Sequence, residues 1–252
     1  MKTAILLSIR EKSTRLPGKV LKELKGKTVT EHLINRIKSV SEADYIIIAT
    51  SDDPRDKVFE DIARKSGIEC FFGDQDDKLK RYYQICKHYN LSGVVIVDGD
   101  DILCFPEVMA SNINLLKELT VDAIFWKNLP LGAASSALTA DALKRVLELK
   151  DENDTEVWGG YFINNKNFNV IFKETNDKLF EHPEVRMTLD YSEDFDFLED
   201  VFNRLFTNER VFTSHELMNY IINENPKIIE ITKNAQEKYE EHIKKSKPVK
   251  FK

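Results

Sequence analysis

TAILLSIREKSTRLPGKVL, residues 3–21, decides the fold. Residues 3–9 are an apolar run with β-branched members, the reading of a strand buried on both faces, as in a parallel sheet. The run opens into a polar loop around Pro17-Gly18, where Arg10, Lys12, Arg15, Lys19 and Lys22 crowd together. Sheets of this kind bind ligands beyond the carboxyl ends of their strands. A basic loop at a strand exit is therefore a candidate phosphate cradle, because backbone N–H, guanidinium and ammonium groups can surround phosphate oxygens. The Walker pattern G-x-x-x-x-G-K-[ST] is absent. By charge alone the loop reads equally well as a cradle or as a solvated basic turn.

Working outward, YIIIAT (45–50), ECFF (69–72) and GVVIVD (93–98) repeat the buried-strand pattern. Amphipathic helical patterns lie between them: 30–40 with Leu33, Ile34 and Ile37; 54–65 with Val58, Ile62 and Ala63; 77–88 with Leu79, Tyr82, Tyr83 and Cys86. Strand alternating with helix predicts a three-layer α/β/α, Rossmann-like fold with a mostly parallel sheet. Further on, a helix is expected over 106–119, strands over 123–127 and 129–139, and a helix over 140–150. Residues 150–162 (KDENDTEVWGGYF) read as a loop and a strand projecting from the sheet. VRMTLD (185–190) reads as a strand, and 192–206 as a helix capped by Ser192, with Glu193 and Asp194 at its positive dipole end. The Lys-rich stretch 244–252 reads as a solvated tail.

Composition narrows the function. The 252 residues are 42% hydrophobic and 32% charged, which fits a single globular domain over 1–252. A net charge of -6 argues against a nucleic-acid or membrane partner, since either favours an extended basic surface. Cys70, Cys86 and Cys104 have neither disulfide-framework nor zinc-ligand spacing and read as reduced core thiols. With no signal-peptide pattern and no membrane-length apolar stretch, a cytoplasmic location is expected. His32, His88, His182, His215 and His242 are scattered, and none is assigned a catalytic role. Tyr82, Tyr83, Trp126 and Trp158 read as core or interface aromatics.

Four collinear stretches carry a resemblance. S-T-R-L-P-G-K-V-L, with Arg10 three residues before its Ser, resembles the N-terminal signature of the cytidylyltransferases that make CMP-activated sugars. The likeness is to the spore-coat polysaccharide biosynthesis type and the related 3-deoxy-manno-octulosonate enzymes. It continues in FFGDQDDKLKRYY (71–83), VIVDGDD (95–101) and RMTLDYSEDFDFL (186–198). The resemblance implies a nucleotide-diphospho-sugar transferase fold and CTP-dependent nucleotidyl transfer in surface polysaccharide biosynthesis. It implies a small sugar-like acceptor, and a homodimer with 124–180 as a projecting acceptor and dimerisation subdomain. Arg10, Arg15 and Lys19 would be the catalytic cations on the triphosphate. Ser8, Ile9, Arg10, Ser13, Lys19, Asp77, Arg81 and Asp98 would line the nucleotide, and Asp100 and Asp190 would hold Mg²⁺. Two strand-end carboxylates supply the hard oxygen ligands such a cation takes alongside substrate phosphates. Read alone, Asp190 also fits a helix N-terminal acidic cluster, and Asp100 with Asp101 a turn cap.

Departures from the family pattern concentrate where the acceptor should bind. Glu11 and Lys12 crowd a loop that is usually smaller, and Lys12 stands where the family has Gly. Around the metal strand an Arg is lost and acids are gained, with Ile96, Asp98, Asp101, Ile102 and Leu103 in the divergent places. Ala134 and Ser136 replace acidic residues near Gly132, and TEVWGGYF replaces a Glu-His pair. The changes disfavour a doubly anionic acceptor unless Lys127, Arg186 or a second subunit compensates. Two other functions fit parts of the sequence. A glycosyltransferase of GT-A type would use Asp98-Gly99-Asp100 as its metal motif, but would have no use for STRLPGK. A non-catalytic nucleotide-binding homologue would explain the altered acceptor half, but not the presence of both Asp100 and Asp190.

Overall fold

The computed structural model describes residues 1–163, 165–245 and 249–252. In chain order the strands are β1 (Thr3–Ser8), β2 (Glu23–Leu24), β3 (Lys27–Thr28), β4 (Tyr45–Ser51), β5 (Glu69–Gly73), β6 (Gly93–Asp98), β7 (Ala123–Trp126), β8 (Ser136–Thr139) and β9 (Val170–Lys173). β2 and β3 form a two-residue ribbon, and the other seven form one sheet of order β5-β4-β1-β6-β8-β7-β9. β5, β4, β1 and β6 are parallel. β8 runs antiparallel to β6 and β7, and β9 is parallel to β7. The apolar runs explain the centre: β1 is buried along its whole length because both of its faces are covered.

On one face lie α1 (Val29–Ile37), α2 (Val58–Ser66) and α4 (Pro106–Glu118), whose Leu33, Phe59 and Ile113 pack with Ile5, Leu7 and Val95. On the other lie α3 (Lys78–Tyr89) and α5 (Ala140–Leu149), with Leu79, Tyr82 and Leu143 against Leu6 and Ile96. Each such fully buried aliphatic side chain contributes about 1.5–3 kcal/mol. Caps set the helix ends: Thr28 and Glu31 form a reciprocal capping box at α1, and Gly67 closes α2 in the left-handed region. A third cluster joins α7 (Ser192–Leu205) and α8 (Ser214–Asn219) to the end of the sheet. α9 (Lys233–Lys244) follows.

Several expectations are corrected. Residues 124–180 contribute most of β7 and all of β8 and β9 to the main sheet, so this segment forms one flank of the sheet instead of projecting from it. Past the loop at 151–159 the chain turns into the short helix α6 (Gly160–Ile163), whose Tyr161 and Phe162 are core residues, not into a strand. β9 was not foreseen, because VIFK is short and set among polar residues. Residues 185–190 are extended but join no strand ladder: Arg186 bridges Leu131, Met187 N–H donates to Leu131, and Leu189 N–H donates to Asp100. The segment crosses the strand ends, which carries Asp190 to them. α7 begins at Ser192 itself, with Tyr191 as the cap residue. Residues 246–248 of the Lys-rich stretch lie outside the described residues. Its last residues dock: Lys252 N–H donates to Leu149, and Asp151 N–H donates to Lys250.

Candidate active site

A cleft of about 840 Å³ opens beyond the carboxyl ends of β1 and β6. The two strands leave the sheet close together, with Gly99 N–H donating to Ser8 at 2.8 Å. A Cβ at Gly99 would come within 2.6 Å of the Ile9 side chain, so glycine permits this approach. The loop after β1 then turns through Gly18, held at φ 65, and delivers Lys19 back into the cleft.

Lys19 is the hub of one end. Its ammonium donates to Asp100 Oδ2 at 2.8 Å, Asp190 Oδ1 at 2.9 Å and the Leu189 carbonyl at 2.7 Å. Burial opposes its charge, but Asp100 and Asp190 outweigh that and raise its pKa. Arg15 also pairs with Asp190 Oδ1, and Arg186 Nη2 reaches Asp190 Oδ2 at 3.1 Å. Desolvation pushes the Asp190 carboxyl up, yet Lys19 and Arg15 pull harder, and its pKa falls below the usual carboxylate value. Arg186 is fixed by Asp194, through Nε at 2.8 Å and Nη2 at 3.0 Å. Asp194 also accepts the N–H groups of Asp190 and Tyr191. The acidic first turn of α7 thus holds the arginine that holds Asp190.

At the other end Arg10 pairs with Glu156 and donates to the Gln75 carbonyl at 2.9 Å. Lys78 lies 3.1 Å from Glu156 and 3.5 Å from Asp98. Burial opposes its charge, but these two carboxylates raise its pKa. Arg81 is fully buried and lines the cleft. Its Nη1 donates to the Asp74 carbonyl at 2.9 Å, while Nε and Nη2 have no hydrogen-bond partner among the described residues, and burial lowers its pKa. Gly73 leaves it room, since a Cβ there would meet Arg81 Cγ at 2.9 Å. Unpaired buried guanidinium donors are costly in isolation and become useful when a ligand supplies acceptors.

The cleft brings together Ser8, Ile9, Arg10, Ser13, Arg15, Lys19, Arg81, Asp98, Asp100 and Asp190. Asp77 is placed elsewhere: it caps α3 and forms a buried 2.6 Å ion pair with Lys150, so it does not line the cleft. Ser8 Oγ already accepts the Tyr82 hydroxyl at 2.6 Å. In the crowded loop, the Glu11 N–H is committed to Asp56. Asp98 and Asp100 are drawn to different cations, Lys78 and Lys19, which does not suit a joint D-x-D metal pair. Asp100 and Asp190 instead converge on a single ammonium. Oxygens that share one cation neighbour can share another, and their hard donors suit Mg²⁺. No group of three ligating side chains occurs among the described residues. Two carboxylates fit a cation that keeps waters and takes substrate phosphates.

Sequence reasoning did not single out Lys78, Glu156, Tyr239 and His242, all of which line the cleft. Lys78 and Glu156 lay inside quoted stretches without a role assigned to them. Tyr239 and His242 come from a helix face that tertiary folding alone brings to the cleft.

A model of the family described as "Cytidylyltransferase" matches residues 4–240. The chain belongs to the cytidylyltransferase family. It is accordingly a CTP-dependent nucleotidyltransferase. The spore coat polysaccharide biosynthesis protein SpsF of Bacillus subtilis is 27% identical over 230 residues, covering 88% of this cytidylyltransferase and 94% of SpsF. A cytidylyltransferase structure from Leptospira borgpetersenii superposes with a TM-score of 0.81 at 24% identity, covering 91% of this chain and 97% of that one. CMP:2-keto-3-deoxy-manno-octonic acid synthetase, solved with CTP, has a TM-score of 0.65 at 14% identity, covering 81% and 99%. The mostly parallel sheet with helices on both faces is the α/β nucleotidyltransferase fold of these structures. No helix among the described residues is long and apolar enough to cross a membrane.

Proposed function

We propose that this cytidylyltransferase transfers CMP from CTP to a sugar-like acceptor, releasing pyrophosphate, in the synthesis of a surface polysaccharide. One observation carries the reading: Arg10, Arg15 and Lys19 from the loop after β1 share a cleft with Asp100 and Asp190 and with the unpartnered donors of Arg81. SpsF is named for spore coat polysaccharide biosynthesis, which supports the pathway class.

Arg10, Arg15 and Lys19 donate to triphosphate oxygens, exchanging their present carboxylate partners for phosphate. Arg81 gains acceptors for Nε and Nη2 from the nucleotide, with Ser8, Ile9, Ser13 and Asp98 lining its path. Asp100 and Asp190 hold Mg²⁺, which when bound neutralises phosphate charge. An acceptor oxygen forms a bond to the α-phosphorus, the bond to the bridging oxygen breaks, and pyrophosphate leaves. The chain's own contribution is positioning and charge stabilisation by preset cations. The free thiols of Cys70, Cys86 and Cys104 support a cytoplasmic setting. The exposed Ile163 and the exposed Phe172 on edge strand β9 support a homodimer contact through this flank.

The test is pyrophosphate release from each NTP with Mg²⁺ and a panel of neutral sugars, sugar acids and sugar phosphates. Release with CTP that is lost in Asp100→Asn and in Asp190→Asn supports the reading. Full activity in either variant removes that residue from the metal site. Absence of release above background with every pair removes the proposed reaction.

A further inference from the structure

The nucleotide reading leaves one wall of the cleft without a role. Tyr239, His242 and Ile243 of α9 line it, at i, i+3 and i+4, so one face of the helix looks into the cleft. Two contacts dock this helix over the Asp190 network: the Arg186 guanidinium lies 5.0 Å from the Tyr239 ring, and Lys238 donates to Glu193 at 2.6 Å. The same end of the cleft is lined by Asp101, Leu131 and Thr188.

The cations around this end are committed. Arg186 is shared between Asp194 and Asp190, with its side chain 1% exposed. Lys238 is held by Glu193, and Lys127 stands over the Phe172 ring at 4.3 Å and does not line the cleft. Neither Lys127 nor Arg186 therefore supplies the compensating charge that a doubly anionic acceptor needs. Lys12 is an exposed residue of the loop after β1, not of the α9 wall. A phenol, an imidazole and two aliphatic side chains line this end, beside the Asp101 carboxyl and the Thr188 hydroxyl, which hydrogen-bond each other. Such a set exchanges hydrogen bonds with hydroxyls and packs against C–H faces.

We propose that α9 is the acceptor-selecting wall, and that it takes an uncharged carbohydrate by its hydroxyls in preference to a sugar phosphate or sugar acid. The inference rests on the cytidylyl-transfer reading above. In the step, an acceptor hydroxyl oxygen bonds to the α-phosphorus of CTP and the bond from that phosphorus to the bridging oxygen breaks. Pyrophosphate leaves with the bond electrons, the hydroxyl proton passes to water in the open cleft, and a CMP ester remains.

The experiment measures pyrophosphate release by the full chain with Mg²⁺ and CTP against neutral aldoses and polyols, their phosphates, and 2-keto sugar acids. It is repeated with His242→Ala and Ile243→Ser, both at exposed positions. Neutral acceptors should turn over, with kcat/KM for the anionic ones lower by about tenfold or more. Each variant should raise the acceptor KM by about tenfold, the scale of one lost hydrogen bond or aliphatic contact, with the KM for CTP unchanged. Preference for an anionic acceptor, no release with any neutral one, or variants that move both KM values together would overturn the inference. Calorimetric titration with CTP separates the two claims. Release from a bound CTP to a sugar acid sinks only the neutral-acceptor inference, whereas absence of CTP binding sinks the transfer reading beneath it.

Discussion

Glu156→Gln should tighten CTP binding. The Glu156 carboxylate pairs with Arg10 and lies 3.1 Å from Lys78, so it occupies Arg10, a cation proposed to receive phosphate, together with a second cation of the cleft. CTP must displace it, and whatever those pairs contribute is subtracted from the binding free energy. Glu156 is 56% exposed and the Arg10 side chain 26%, so solvent screens the pair, while Lys78 is less exposed at 12%. Partly exposed ion pairs contribute about 0.2–1 kcal/mol each, and two of them about 0.5–1.5 kcal/mol together. At about 1.4 kcal/mol per tenfold, the variant should bind CTP roughly twofold to tenfold more tightly. Isothermal titration at ~0.1 M salt measures this, and the gap between the two proteins should narrow as salt screens the pairs. An unchanged or weaker affinity in Glu156→Gln would refute the reasoning and make Glu156 a nucleotide contact in place of a competitor.

Lys150→Met breaks the buried pair with Asp77 and leaves a carboxylate stranded at the start of α3; a loss of about 3–5 kcal/mol is expected in urea unfolding, and a loss under 1 kcal/mol would contradict the pairing. Arg81→Met removes unpartnered buried donors, so thermal stability should hold or rise while CTP affinity falls by about tenfold; unchanged affinity would take Arg81 out of the nucleotide site. Asp190 has a depressed folded pKa, so its charge stabilises the fold above about pH 4 and that contribution fades as pH falls through the folded value. The stability gap between wild type and Asp190→Asn should therefore shrink from pH 6 towards pH 3, and a gap independent of pH would count against the Lys19 and Arg15 pairing.

The central strands were legible because β1, β4 and β6 are buried on both faces and read as continuous apolar runs. β9 carries too few residues to stand out. Residues 185–190 have strand chemistry, but they lie across the strand ends, a placement that follows from Leu131 and Asp100 and not from their own pattern. The basic loop was legible as a cluster. That Asp100 and Asp190 share an ammonium from that loop was not, because no local spacing encodes a contact between residues so distant in sequence; resemblance brought the two together only as ligands of Mg²⁺. Asp77 misled because a helix cap and a ligand-facing acid look alike in sequence, and burial against Lys150 separates them. Tyr239 and His242 reach the cleft because the docking of α9 on Arg186 and Glu193 turns one of its faces there, a placement that no local pattern encodes.

The central claim is that the cleft between the basic loop and Asp100 with Asp190 is a CTP site. Calorimetric titration of the full chain with CTP, UTP, ATP, GTP and a UDP-sugar, each with Mg²⁺, tests it most directly. Tightest binding should be to CTP, weakened by about tenfold or more in Lys19→Met. Preference for the UDP-sugar, or CTP affinity indifferent to Lys19, would contradict the account.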